Sequence, residues 1–167
     1  MARLVEVATA RLIRELHTPF VTALRRTTQV LSVAVRVTDA DGAVGYGEAP
    51  QIWRVTGESL AGIEACVLGP LAEALLGRDL AAQPAAEVHQ LLAAAVAANT
   101  GARAACEVAV LDLLARRDGV PLAESIGGLT STVATDVTIA AQTESPSAEK
   151  KANRGRLSST PGDSRKF

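Results

Sequence analysis

The hydrophobic period changes along the chain. Leu4 to Leu16 scatters Val5, Val7 and Ile13 among threonines and charged residues, an irregular but strand-compatible pattern that Pro19 is expected to interrupt. Val30 to Thr38 alternates cleanly, with Leu31, Val33, Val35 and Val37 on one face and Ser32, Ala34, Arg36 and Thr38 on the other. Asp39-Ala40-Asp41-Gly42 is a turn sequence and Ala43 to Glu48 reads as the return strand, so this stretch predicts a hairpin. From Ser59 the period becomes helical. Thr56-Gly57-Glu58-Ser59 offers N-caps, and Leu60, Ile63, Ala65, Val67 and Leu68 form the expected apolar face. Gly69-Pro70 interrupts it before Leu71 to Leu76. A second helix is expected over Ala85 to Ala98 on Val88, Leu91, Leu92 and Val96. A third is expected over Ala102 to Arg117, with Val108, Leu111, Leu114 and Ala115 on one face. Arg116-Arg117 would complement its dipole and Gly119 would stop it.

Strand, hairpin and then helices predict an α+β domain, a three-stranded antiparallel meander followed by a helical bundle. After Gly128 the pattern turns extended again, with one short strand expected over Val133 to Ala140. Residues 143–167 then break the composition: only Ala148, Ala152, Leu157 and Phe167 are apolar, and six Lys or Arg stand against three acids, a net of +3. That segment reads as a disordered basic tail, because it buries too little to offset its ordering entropy. With a whole-chain net charge of −1, the remainder carries −4.

Aromatic residues make up 2% of the chain against 48% hydrophobic, so the core must be built from Ala, Leu, Val and Ile. A near-neutral chain without stacking platforms is a poor nucleic-acid binder. Leu91 to Ala98, the most apolar run, is far shorter than the roughly 20 residues of a membrane span. The N-terminus lacks a signal-peptide apolar core. Cys66 and Cys106 sit among alanines without metal-ligand spacing and read as buried thiols of a cytoplasmic protein. With only His17 and His89, no zinc site is expected. Gly45-x-Gly47 opens no helix and is no dinucleotide loop. Ser125 has no histidine near it in sequence. Asp112 reads as a polar contact of the third helix, and neither it nor Glu107 reads as a metal carboxylate.

Four stretches in order resemble the enolase superfamily, in its mandelate racemase and muconate-lactonizing group. They are Thr18-Pro19-Phe20-Val21-Thr22-Ala23-Leu24-Arg25-Arg26-Thr27; Gly45-Tyr46-Gly47-Glu48-Ala49-Pro50; the helix Ala104 to Ala115; and Gly119-Val120-Pro121-Leu122 through Ile126-Gly127-Gly128. The first is most similar to dipeptide epimerases of the Ala-Glu type. The resemblance implies an N-terminal cap, here residues 1–130, closing over a (β/α)₈-type barrel of which 131–142 would be the first strand. In that barrel a lysine removes the proton α to a carboxylate, a magnesium ion held by three carboxylates stabilises the enediolate, and a second lysine reprotonates it.

The resemblance also implies substrate-binding residues. The first cap loop would be His17 to Arg26, with Arg25 pairing the acidic side chain of a dipeptide or similar carboxylate substrate and Phe20 beside it as pocket or packing plug. The second, Gln51 to Thr56, would offer Ile52 and Trp53 as apolar wall, or Trp53 as a cap-to-barrel packing residue. Thr138 would line the pocket from the first barrel strand. The match stops near residue 141. Lys150-Lys151 are adjacent and so cannot replace a Lys-x-Lys strand pair, whose side chains share a face. A truncated or frameshifted reading is therefore expected, with no catalytic residue and no bound magnesium in this chain. Alone it would be inactive, needing its own barrel domain as partner. A non-catalytic partner-binding module that keeps the cap fold, with a possible homo-oligomer, is the alternative.

Overall fold

The computed structural model describes residues 3–22, 25–80 and 83–128, together with Thr132 and Ala134. Three antiparallel strands lie in the order β1 (Leu4–Val21), β2 (Arg26–Asp39), β3 (Val44–Pro50). Helices α1 (Leu60–Cys66), α2 (Ala72–Leu75), α3 (Ala85–Ala95), α4 (Thr100–Asp118) and α5 (Leu122–Ser125) follow, with a kinked connection over Val67–Leu71 between the first two. This is the expected α+β meander and helical bundle, with the short α5 added. The expected strand over 133–140 and the expected tail over 143–167 lie outside the described residues apart from Ala134, which is exposed.

The first two strands are longer than their sequence pattern suggests. Pro19 does not end β1. The register steps from Glu15↔Gln29 to Phe20↔Thr27, so that Leu16 to Pro19 face Thr28 alone. An edge strand tolerates this, because proline's missing N–H costs nothing on an unpaired side and the irregularity absorbs the extra residues. The region expected to be a loop from His17 to Arg26 is therefore the end of a long hairpin arm, closed by hydrogen bonds between Thr22 and Arg25. Thr22 N–H donates to Arg25 O at 2.9 Å, and Arg25 N–H donates to Thr22 Oγ1 at 3.2 Å.

Val33, Val35 and Val37 of β2 are fully buried on the face that meets the helices. The buried stripe of α4 is Ala102, Ala105, Cys106, Ala109, Val110 and Leu113, with Ala115 beyond it. Val108, which the sequence pattern put on the inner face, is 41% exposed. The reason lies on β3. A Cβ at Gly45 would stand 2.1 Å from Ala109 O, and one at Gly47 would stand 2.0 Å from Ala105 O. Helix and strand meet backbone to backbone, so only the small-residue face of α4 fits. Counting large residues along the helix selects the wrong side.

The α1 face shifts similarly. Ser59 is the N-cap, accepting from Gly62 N–H at 3.0 Å. Ile63, Cys66, Val67 and Leu71 are buried, whereas Leu68 is 52% exposed and Ala65 is also outside. Ile63, Cys66 and Val67 stand at three- and four-residue spacing, which leaves Ala65 and Leu68 off that face, and the helix then kinks where Gly69 leaves helical angles (φ −96°, ψ −109°) ahead of Pro70. Helix α3 ends at Ala95 rather than Ala98, because Val96 turns extended and Ala98 and Asn99 take left-handed angles (φ 52° and 43°) before α4 begins at Thr100. The donors at the start of α4 are taken by a side chain from far away in sequence. Buried Glu58 accepts from Gly101 N–H at 2.8 Å and Ala102 N–H at 2.9 Å. A carboxylate there satisfies two orphan donors and complements the helix dipole.

Candidate functional site

The strand register decides where the candidate residues sit. β3 runs antiparallel to β2 and ends with Pro50 opposite Ser32, and Gln51 N–H donates to Leu31 O at 2.8 Å. The segment 51–57 therefore leaves the sheet from the same end as the β1–β2 turn. The hairpin arm continues past it from Leu31 to Arg26, about 17 Å at strand rise. Arg25 is exposed at the tip of this arm, and Phe20 lies half-buried opposite Thr27. Ile52 and Trp53 lie nearer the body of the domain. The register thus places the four candidates at one end of the sheet without stacking them into one cluster, with Phe20 about 13 Å along the strands beyond the level of Gln51. Thr138, the fifth, lies outside the described residues.

The second loop is held by one carbonyl. Ile52 O accepts from Val55, Thr56 and Gly57 N–H at 3.1, 3.1 and 3.2 Å, and Gln51 Oε1 accepts from Leu60 N–H at 3.1 Å, fastening the loop to the start of α1. The tight knot keeps Ile52 half-buried and turns Trp53 outward, 64% exposed, next to exposed Val55. An indole so exposed beside a valine is an apolar surface presented away from the domain core, not part of it.

Charged groups elsewhere in the domain serve the scaffold. Arg11 of β1 makes a forked bond to Glu64 of α1, its Nη2 at 2.6 Å from Oε2, and this hydrogen bond lowers the Glu64 pKa. Asp39 closes the β2–β3 turn by accepting from Asp41 and Ala43 N–H at 3.0 and 2.9 Å, and it also takes Arg117 from the end of α4. Burial opposes ionisation of Asp39, but Arg117 and the two N–H groups outweigh it, so its pKa falls below the usual carboxylate value. Asp112 binds Tyr46 N–H at 2.9 Å and Arg116 Nε at 2.8 Å, and Arg116 lies over the Tyr46 ring. Asp112 is thus the polar contact expected of it, and Glu107 is engaged by His89 at 3.0 Å. Cys66 and Cys106 are free and buried. Burial pushes both thiols up, Cys106 to about 12.

Among the described residues no group of three or more His, Cys, Asp or Glu side chains is arranged to hold a metal ion, and no helix is long and apolar enough to cross a membrane. Asp39 and Asp41, the adjacent carboxylates of the turn, both take Arg117.

The domain has counterparts among known proteins. The family model described as "Mandelate racemase / muconate lactonizing enzyme, N-terminal domain" matches residues 4–127. The chain belongs to this family. The mandelate racemase/muconate lactonizing relative L-Ala-D/L-Glu epimerase from Bacillus subtilis is 39% identical over 139 residues, which cover 82% of this chain and 37% of the epimerase. A substrate-liganded complex of the L-Ala-D/L-Glu epimerase from Bacillus subtilis matches the fold with a TM-score of 0.77 and 36% identity, over 84% of this chain and 38% of that one. A dipeptide epimerase from Methylococcus capsulatus, complexed with Mg and the dipeptide L-Arg-D-Lys, matches with a TM-score of 0.75 and 28% identity, over 92% and 42%. The chain spans less than half the length of each of these family members.

Sequence reasoning missed the residues that build the platform under the loops. Gly45 and Gly47 read as part of the return strand and of a family motif, without the close helix contact they permit, although two glycines alternating in a strand are the signal for close backbone approach. Glu58 was visible only as one of several N-caps for α1, and nothing local to it points at α4.

Proposed function

We propose that residues 1–130 act as the capping, substrate-selecting domain of a dipeptide-epimerase-type isomerase, with its chemistry supplied by a barrel domain of the family kind. The observation that carries this reading is the projection of the arm bearing Arg25 and of the loop bearing Ile52 and Trp53 from the same end of one rigid sheet. The arm presents a guanidinium suited to a carboxylate, and the loop presents an apolar wall that excludes water once it is covered. The 39% identity to an L-Ala-D/L-Glu epimerase supports an acidic dipeptide as substrate, with Arg25 pairing its side-chain carboxylate and Phe20 beside it. In this reading Thr138 faces the same pocket from residues 131–142, the first barrel strand.

The described residues supply no carboxylate set for magnesium, so no step runs through the metal on this part of the chain. The cap binds, orients and shields, and the 167-residue chain does not by itself move the α-proton. Incubation of the purified chain with L-Ala-L-Glu and Mg²⁺ in D₂O, followed by NMR of the α-protons, tests this. No exchange above the protein-free control is expected. Enzyme-dependent exchange that survives repurification of the chain contradicts it.

A further inference from the structure

We propose that β1 is a dimerisation edge, pairing antiparallel with β1 of a second copy of this chain about a two-fold axis at Ala10. β1 is the outer strand of the three-stranded sheet. The direction of its backbone groups follows from parity. On β2, Leu31 O and Asp39 N–H both bond toward β3, so the odd residues of β2 face β3 and the even ones face β1. Even residues of β2 pair with even residues of β1, from Glu6↔Thr38 to Arg14↔Val30. The N–H and C=O groups of Val7, Thr9, Arg11, Ile13 and Glu15 therefore point away from the sheet, and among the described residues no backbone group takes them. A row of this kind is a template for another strand.

The usable stretch has defined ends. Below, Leu4 already exchanges bonds with Arg78 O and Gly77 N–H, and the register shifts between Leu4 and Glu6. Above, the ladder becomes irregular after Glu15. Two two-fold registers use nearly all of Glu6 to Glu15. One centres on Arg11 and sets two guanidinium groups face to face. The other centres on Ala10 and sets Glu6 opposite Arg14 twice, Val7 opposite Ile13 twice, and Ala8 opposite Leu12 twice. Charge complementarity selects the second. It also covers Ile13, which is 54% exposed. Arg14 now donates to its neighbour Ile13 O at 3.0 Å, an outward carbonyl that the partner's N–H would take, releasing the guanidinium toward Glu6 of the second copy. Glu6 already takes Arg36 and Thr38 at 2.9 Å each, and Arg14 would extend that network.

The register makes a single-residue test possible. Ala10 would face its own copy as a non-hydrogen-bonded pair with Cα atoms about 4.5 Å apart, within disulfide range. The native cysteines are buried. The 167-residue chain carrying Ala10→Cys, oxidised with copper-phenanthroline, is expected to run as a disulfide dimer on a non-reducing gel, whereas Ala8→Cys is expected to stay monomeric on the same gel because it faces Leu12. Light scattering of the parent chain is expected to give a dimer that Thr9→Pro, which removes one outward N–H and no β1–β2 bond, converts to monomer with unchanged circular dichroism. A monomeric parent, equal cross-linking at residues 8 and 10, or a dimer indifferent to Thr9→Pro overturns the proposal.

Discussion

Replacing Gly47 by alanine tests the contact on which the whole domain is seated. The new Cβ would lie 2.0 Å from Ala105 O and 2.9 Å from Ala105 C, both backbone atoms of a helix that cannot rotate them away. Carbon rarely approaches such an oxygen within about 3 Å, so β3 and α4 must separate by about 1 Å. That gap opens between buried Val35 and Val37 on one side and Ala105, Ala109 and Leu113 on the other, loosening contacts over both elements. Overpacking of this kind costs about 3 kcal/mol, the upper end of its range, because no flexible side chain is available to yield. For a domain of this size that is a fall of about 10 °C in Tm. Thermal unfolding followed by circular dichroism, with urea titration as a second reading, measures it. A Gly47→Ala protein that melts within about 2 °C of the parent would refute the close seating of α4 on β3.

Two further outcomes follow from the buried groups. Asp39 has its pKa depressed in the folded state, so the stability it contributes is complete above the ordinary aspartate value of the unfolded chain and is lost as pH falls through the lower folded value. Urea midpoints measured from pH 6 down to 2 should drop in acid, and Asp39→Asn should be less stable at pH 6 with a shallower acid limb; parallel curves would contradict the assignment. The thiols of Cys66 and Cys106 should resist DTNB at pH 8 in the native protein and both react in urea, since burial and the raised pKa deny the reagent a thiolate. Rapid native labelling of either would count against the packing of α1 on α4.

The alternation Val33-Val35-Val37 and the Asp39 to Gly42 turn were legible because their meaning is local: period two and a turn residue set decide them. The helices were legible as helices, but the buried faces of α1 and α4 were not. One is interrupted by a kink where Gly69 leaves helical angles before Pro70, and the other depends on two glycines in a distant strand. Pro19 misled for a related reason. Its effect depends on β1 being an edge, a fact of topology rather than of the residue. At the candidate site, the motif around Arg25 was readable as a family pattern, but its placement on a projecting arm needed the β1–β2 register. Glu58 reaching α4 across more than forty residues has no sequence signal at all.

The proposal that this domain selects an acidic dipeptide through Arg25 is tested most directly by a chimera. Residues 4–128 would replace the matching N-terminal part of the Bacillus subtilis L-Ala-D/L-Glu epimerase, and kcat/KM would be measured for L-Ala-L-Glu and L-Ala-L-Ala with Mg²⁺. The chimera is expected to epimerise L-Ala-L-Glu, and Arg25→Ala should lower kcat/KM for that dipeptide by about 10- to 100-fold, the worth of a charge-assisted hydrogen bond, while leaving L-Ala-L-Ala within about 2-fold. A folded chimera without activity, or an Arg25→Ala change equal for both dipeptides, would contradict it.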